Sequence, residues 1–352
     1  MASSRAPAQR GAALLLAMLV VTLVATLASA AVWQQWQHVA VEQAERDRLQ
    51  AGWILTGSLD WARLILREDA RTNQNTGSGD HLAEPWAVGL EEARLSSFLA
   101  IDKNQDPPPA LDAFLSGTIQ DQQGLLNVTN LVKQGKLSEP DVRMFARLFE
   151  QLGLQTAELT AFSRLWLQAA NSLNPPTGGA TGTQTTAAQA DGVPLLPHRV
   201  AQLTWLGLSS TTVKRLQPFI TVLPERTAVN LNTAPAEVVL ASIPTLDMAR
   251  ARRLLTQRAL QPFKTLADIT PLLGGVTLES DQHATQSRYF LVMGRLRLDE
   301  HVVQEHSLVQ RNGLDVKTLW RERAQPQLTD GRPGAPDALA SPQNSTNRPV
   351  AP

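Results

Sequence analysis

The sequence predicts an α+β protein: a long N-terminal helix, an antiparallel sheet, and a large all-α domain inserted between the strands of that sheet. Three patterns predict it. An almost wholly apolar run from Ala12 to Ala31 flows, with no proline between Pro7 and Pro85, into a second stretch with an apolar face, so one helix of about sixty residues accounts for both. Apolar residues at helical spacing recur through 139–271. Near the end the period falls to two, over Ser287–Leu298 and Val302–Arg311, and Asn312-Gly313 then marks a tight hairpin.

At the N-terminus, Arg5 and Arg10 precede the apolar run, and no Asp, Glu, Lys or Arg occurs from Gly11 to Val41. A helix of about 20 apolar residues spans about 30 Å, the thickness of a bilayer's hydrocarbon core. Positive charge ahead of it keeps residues 1–10 cytoplasmic and exports the rest. Two processing readings stand at this point. Ala28-Ser29-Ala30 before Ala31 fits the small-x-small site of a secretory signal peptide. Cleavage between Gly11 and Ala12 keeps the helix on the mature chain, and Trp33, Trp36, Val39 and Ala40 do carry its apolar face past Ala31. Leu49, Trp53, Leu59, Trp61, Leu64 and Ile65 continue it, with Gly52 and Gly57 as points where the rod can bend. The polar run Thr72–Gly79 is expected to end the helix.

Arg10-Gly11 followed by Ala12-Ala13-Leu14-Leu15-Leu16 resembles a prepilin peptidase site and the start of a type IV pilin-like subunit. Most such subunits carry Glu at the fifth mature position, which here is Leu16. A carboxylate in lipid is costly unless paired, and the resemblance implies that it meets the N-terminal amine of a neighbouring subunit. A subunit without it needs no neighbour ahead. In this the chain resembles the K-type minor pseudopilin of type II secretion. Asp80, Leu82, Glu84 and Trp86 repeat that family's D-x-L-x-E-x-W-A stretch. Asn127 and Asn130 stand in its D-x-x-G-x-x-N-x-N-x-L motif, except that Thr129 precedes the second Asn. Asn230, Asn232 and Thr233 open N-x-N-T-A, followed by I-P, A-R-x-x-L-x-x-R and P-F-x-x-x-x-D-I.

Read from their own chemistry, these residues are structural. Trp86 is a core anchor, and Asn127 and Asn130 satisfy turn backbone rather than a ligand. Strands are expected over Leu95–Ile101 and Gly117–Val128. Ser138-Glu139-Pro140-Asp141 starts a helix, a second covers Thr156–Leu173, and Asn174–Asp191 is a Pro/Gly/Thr/Ala-rich linker. Helical segments resume at Arg199–Leu206 and Ser210–Phe219. Asn232 or Thr233 is expected to cap the next helix, with Pro235 in its first turn and Glu237 at its positive end. Helices over Asp247–Leu260 and after Thr265 follow, and Leu314–Trp320 closes the sheet.

These readings divide the chain into a cytoplasmic leader (1–11), a transmembrane and stem helix (12–71), the first part of a pilin-like head (80–130), an inserted helical domain (131–285), the head's last strands (286–324) and a disordered tail (325–352). Lys+Arg and Asp+Glu both total 32, and Cys is absent, which removes disulfides and thiolate metal sites and any general attraction to nucleic acid. No nucleophile, base and orienting group can be grouped, so no enzyme and no cofactor are expected. The resemblance implies a non-enzymatic tip subunit of the periplasmic pseudopilus. Its partners would be the I-type and J-type minor pseudopilins, the major pseudopilin, prepilin peptidase and inner-membrane lipid. It would sit in the bacterial inner membrane as a single-pass protein with its C-terminal domain in the periplasm. The family's calcium-associated acidic loop should fall in Trp166–Ala190, which has no Asp or Glu, so that site is expected to be missing, since calcium needs several oxygen ligands. Two other readings stay open: a soluble exported helical binding protein cleaved after Ala30, and a membrane-tethered DNA-binding protein. The second rests on a helix-hairpin-helix-like pattern over 229–271 with Arg250, Arg252, Arg253, Arg258 and Lys264. Pro244-Thr245-Leu246-Asp247-Met248 lacks the glycines such a hairpin uses to approach phosphate, so these arginines are expected to form a solvated face or a partner contact.

Overall fold

The computed structural model describes residues 10–95, 113–173, 194–244, 246–274, 276–298 and 301–324. The expected leader through Gln9, the expected linker 174–191 and the expected tail 325–352 lie outside them, as does the expected strand beyond Leu95.

The fold is α+β. Helix α1 runs unbroken from Arg10 to Thr76, 67 residues, a rod of about 100 Å. Its first half buries nothing, and from Ala51 one stripe turns inward: Ala51, Leu55, Leu59, Ala62, Leu66 and Ala70, each three or four residues from the last. The helix overruns its expected end because Thr72 and Thr76 bond back to the Glu68 and Thr72 carbonyls and Asn73 is held by three carboxylates. Gly77, at φ 64°, then stops it.

That stripe packs on a five-stranded antiparallel sheet ordered β1 (Leu90–Arg94), β2 (Ala113–Asp121), β9 (Tyr289–Leu298), β10 (His301–Asn312), β11 (Asp315–Ala324). Strand β2 begins earlier than the sequence suggests and stops at Asp121. Its ladder to β9 runs from Ala113↔Leu298 to Asp121↔Phe290, after which the Asp121 carboxylate accepts the Gln123 N–H and bends the chain away. Gly117 and Gly294 face each other in that ladder. A methyl on Gly294 would stand 3.2 Å from Leu55, so this glycine lets α1 settle onto the sheet. The hairpin between β10 and β11 turns at Gly313, φ 59°, and β11 continues to Ala324 because its partners on β10 extend to Gln304.

Between β2 and β9 lies the helical part. It holds α2 (Glu139–Gln151), α3 (Thr156–Leu173), α4 (Ser210–Leu216), α5 (Ala236–Ser242) and α6 (Met248–Leu260). Among the described residues, four short 3-10 turns interrupt it, at Val128–Leu131, Val200–Leu206, Leu266–Asp268 and Thr270–Leu273. The last two replace the helix expected after Thr265, since Pro271 and the left-handed Gly274 allow no longer run. Phe145, Leu148, Phe149, Phe162 and Trp166 form the centre of its core with Val238, Val239 and Leu254. This part is not purely α. Two parallel bridges tie it internally and to the return strand: β3 (Leu126–Asn127) to β6 (Ile220–Thr221), and β7 (Val229–Asn230) to β8 (His283–Ala284), while β4 (Val132–Lys133) and β5 (Lys136–Leu137) make a small hairpin.

Candidate functional site: a buried polar junction

Most of the motif residues converge where the end of α1, the sheet and the helical part meet. Asp80, Glu84 and Trp86 are 1%, 6% and 1% exposed. Glu84 accepts from its own turn, from His81 N (2.8 Å) and Trp86 Nε1 (2.7 Å), and from Asn73 Nδ2 of α1 (2.8 Å). Trp86 packs edge-on to Phe290 at 5.2 Å. Asp80 accepts from Ser287 N at 2.6 Å, from Asn73, and from Arg311. The Arg311 guanidinium lies between Asp80 and Asp69, with a 2.8 Å bond to Asp69 Oδ2 and a 2.9 Å bond to the Ser287 carbonyl. Burial alone would lower its pKa; the Asp80 and Asp69 carboxylates outweigh that and hold it raised. Leu82, by contrast, is 55% exposed and takes no part.

A second cluster adjoins the first. The Asp121 carboxylate accepts from Ser287 Oγ (2.6 Å), Thr233 Oγ1 (2.6 Å) and Asn230 Nδ2 (3.0 Å). Burial pushes its pKa up to about 6, against the pull of the Ser287 and Thr233 hydroxyls. Asn230 also reaches the Asp80 carbonyl, so one amide bridges the helical part to the loop after α1. Asn232 does not cap α5. Its amide clamps the Phe263 backbone in both directions, at 2.8 and 3.0 Å, and Thr233 is committed to Asp121, so Pro235 occupies the cap position without a side-chain bond. Asn127 and Asn130 act likewise. Asn127 joins Thr129, Leu223 and Glu225 backbone groups, and Asn130 pairs with the N–H and carbonyl of Thr227.

A cleft of about 620 Å³ opens beside the junction, bordered by Asp80, Lys133, Arg226, Asp281, Arg288 and Arg311. Its charges are matched from within: Lys133 with Asp281, Arg226 with Asp141, Arg288 with Glu225. The hydroxyls of Ser287 and Thr233 share one carboxylate as acceptor, an arrangement that fixes geometry rather than activating a nucleophile. Among the described residues one carboxylate group has metal-like spacing, Asp69, Asp80 and Glu84. The Arg311 guanidinium and Asn73 amide already fill the position a cation would take, so the group does not suit a metal. The expected calcium-loop segment ends its described part at Leu173, and none of residues 166–173 is acidic.

Sequence reasoning missed Asp69, Asn73, Ser287 and Arg311, and it placed Asp121 in a family motif without seeing that it joins the site. A faint signal existed for two. Asp69 sits beside Ala70 on the buried stripe of α1, and Arg311 follows Ser307 and Val309 at inward positions of β10. Arg258 also departs from the expected solvated face, because it turns inward to the Leu231 and Ala234 carbonyls at 2.7 and 2.6 Å, and burial lowers its pKa to about 10. Gly11 and Ala12 lie within the first turns of α1, and Leu16 is 66% exposed on its apolar, unburied half. That helix is long and apolar enough to cross a membrane.

Two family models described as Type II secretion system (T2SS), protein K match this chain, over residues 124–225 and 229–288. Three curated proteins named Type II secretion system protein K are similar along most of their length. That of Pseudomonas aeruginosa is 27% identical over 321 residues, 89% of each chain. That of Klebsiella pneumoniae is 28% identical over 342 residues, 89% of this chain and 96% of that one. That of Pectobacterium carotovorum is 26% identical over 340 residues, with the same coverage. Among solved structures, a chain of the GspK-GspI-GspJ complex from the enterotoxigenic Escherichia coli type 2 secretion system superposes with a TM-score of 0.58. It is 17% identical and covers 80% of this chain and 99% of that one, a likeness of fold.

Proposed function

The chain belongs to the type II secretion system protein K family, the K-type minor pseudopilins, and from that premise we propose that it caps the tip of the periplasmic pseudopilus and primes its assembly. The observation that carries this reading is the joint at the end of the stem. A helical part of roughly 150 residues, with a radius of gyration of about 15 Å, is tied by Asn230 to the Asp80 carbonyl in the loop that ends a helix only about 10–12 Å across, and Arg311 of β10 clamps that loop to Asp69 of the helix. Mass placed there leaves no room for a further subunit to stack ahead. Leu16 supports the same direction: in a helix start without a carboxylate, no buried charge waits for the amine of a subunit in front.

In this reading prepilin peptidase cleaves between Gly11 and Ala12. The apolar helix stays in the inner membrane, and the head and helical part stand in the periplasm. The I-type and J-type minor pseudopilins, the partners in the solved E. coli complex, and then the major pseudopilin, pack alongside and below the exposed stem face of Leu49, Trp53 and Leu64. The native sequence has no cysteine, so Leu260→Cys on an exposed surface (79%) offers one labelling point per subunit. Gold-labelled pseudopili from a host lacking its own K subunit are expected to carry label at one end only. Label spaced along the shaft would contradict a capping role.

A further inference from the structure

Three carboxylates, Asp69, Asp80 and Glu84, lie with oxygens within 4.8 Å of one another, each less than 8% exposed. One guanidinium, Arg311, is the only cation bonded into the group among the described residues. With all three ionised, the group would hold two uncompensated negative charges out of water. Carboxylates this close in a dry site do not all ionise. The other titratable groups facing it are His81, whose Nε2 stands 3.9 Å from Glu84 Oε1 at the rim, and Asp121, a further acid reached through Ser287 and Asn230.

The hydrogen bonds single out which carboxyl is neutral. Glu84 accepts two full bonds from His81 N and Trp86 Nε1 and a third from Asn73. Asp80 accepts from Ser287 N, Arg311 and Asn73. Asp69 has only the Arg311 bond and a 3.5 Å approach from Asn73, both on Oδ2, so Oδ1 receives no donor among the described residues. With one full bond where Glu84 and Asp80 each have three donors, Asp69 is the carboxyl that keeps its proton.

We propose that Asp69 keeps its proton in weakly acidic surroundings and serves as a proton-held latch between the stem helix and the rest of the molecule, loosening as pH rises toward neutrality. Burial first, and Glu84 second, push its pKa up to about 7, against the pull of Arg311. The ordinary value of 3.8 applies in the unfolded chain. The folded state therefore binds the extra proton between pH 3.8 and about 7, and this group's contribution to stability declines as pH rises through that window and stays low above it. The latch does not rest on the tip reading above.

The test compares the full detergent-solubilised chain with Asp69→Asn, a neutral mimic, from pH 4 to 9. The two are expected to melt together near pH 4. The variant should gain on the native chain as pH rises to about 7 and keep that advantage beyond. Parallel melting curves at every pH, or a variant that cannot fold, would overturn the proposal, because a neutral side chain is the native state it requires. Infrared spectra of the native chain with 13C-carboxyl aspartate give a second readout. At pH 6 a protonated-carboxyl band missing from Asp69→Asn is expected. Identical bands in both chains mean an ionised Asp69 and no latch. Either result stands apart from where labels fall on the pseudopilus.

Discussion

Arg311 ties several parts of the junction together: it bonds Leu66 and Asp69 on α1, Asp80 in the following loop and Ser287 before β9. Replacing it by Met would keep much of the volume and leave buried carboxylates without a counter-charge. A cost of about 3–5 kcal/mol is expected, read from denaturant unfolding of the full chain in detergent. His283 works on a different pH window. It is 2% exposed, neither ring nitrogen closes a hydrogen bond, and burial pushes its pKa down to about 4. Its folded value lies below the ordinary 6.5, so the stability present above pH 6.5 is lost as pH falls toward 4. His283→Phe should flatten that acid limb of the stability curve, and an unchanged slope between pH 6.5 and 4 would show that His283 does not set it.

The stem and the sheet depend on contacts that tolerate little added volume. Gly294→Ala would press a methyl to 3.2 Å from Leu55 and 3.6 Å from Ser58. About 1–3 kcal/mol of destabilisation is expected, visible as a lowered melting midpoint. Trp166→Ala in the helical core should cost about 3–5 kcal/mol, since its ring is 2% exposed, lies beside Phe162 and shares a core with Phe145, Leu148 and Phe149 of α2. Elements set by local rules were the ones legible in the sequence. The apolar run fixes α1, the period of two fixes β9 and β10, and Asn312-Gly313 fixes their neighbour's hairpin. Elements set by distant partners were not. The end of β2 depends on pairing with β9, more than 160 residues on, and Asn232 and Thr233 look like helix caps until Phe263 and Asp121 claim their side chains. The motif residues could be singled out but not joined. Asp69 and Arg311, 242 residues apart, meet only once the sheet has formed.

For the whole molecule, a stem about 100 Å long is of use to a filament only if its membrane half remains attached. The unburied stretch from Ala12 onward, the aromatic pair Trp33 and Trp36 beyond it, and the sheet-bound stripe from Ala51 make one continuous helix. Trp residues at that depth suit the outer edge of a bilayer. Leu16→Glu should leave the folded head unchanged, so its melting midpoint should stay near native. It is expected to weaken capping by giving the subunit a buried charge that seeks a neighbour ahead, scored as filament length and secretion in a host lacking its own K subunit. The capping proposal depends on where the mature chain begins. The most direct measurement is the N-terminal residue of the mature protein, taken by mass spectrometry from a host with its envelope machinery intact. A start at Ala12 is expected, with the apolar helix retained. A start at Ala31 would remove that helix and contradict the pilin-like anchoring on which the capping role rests.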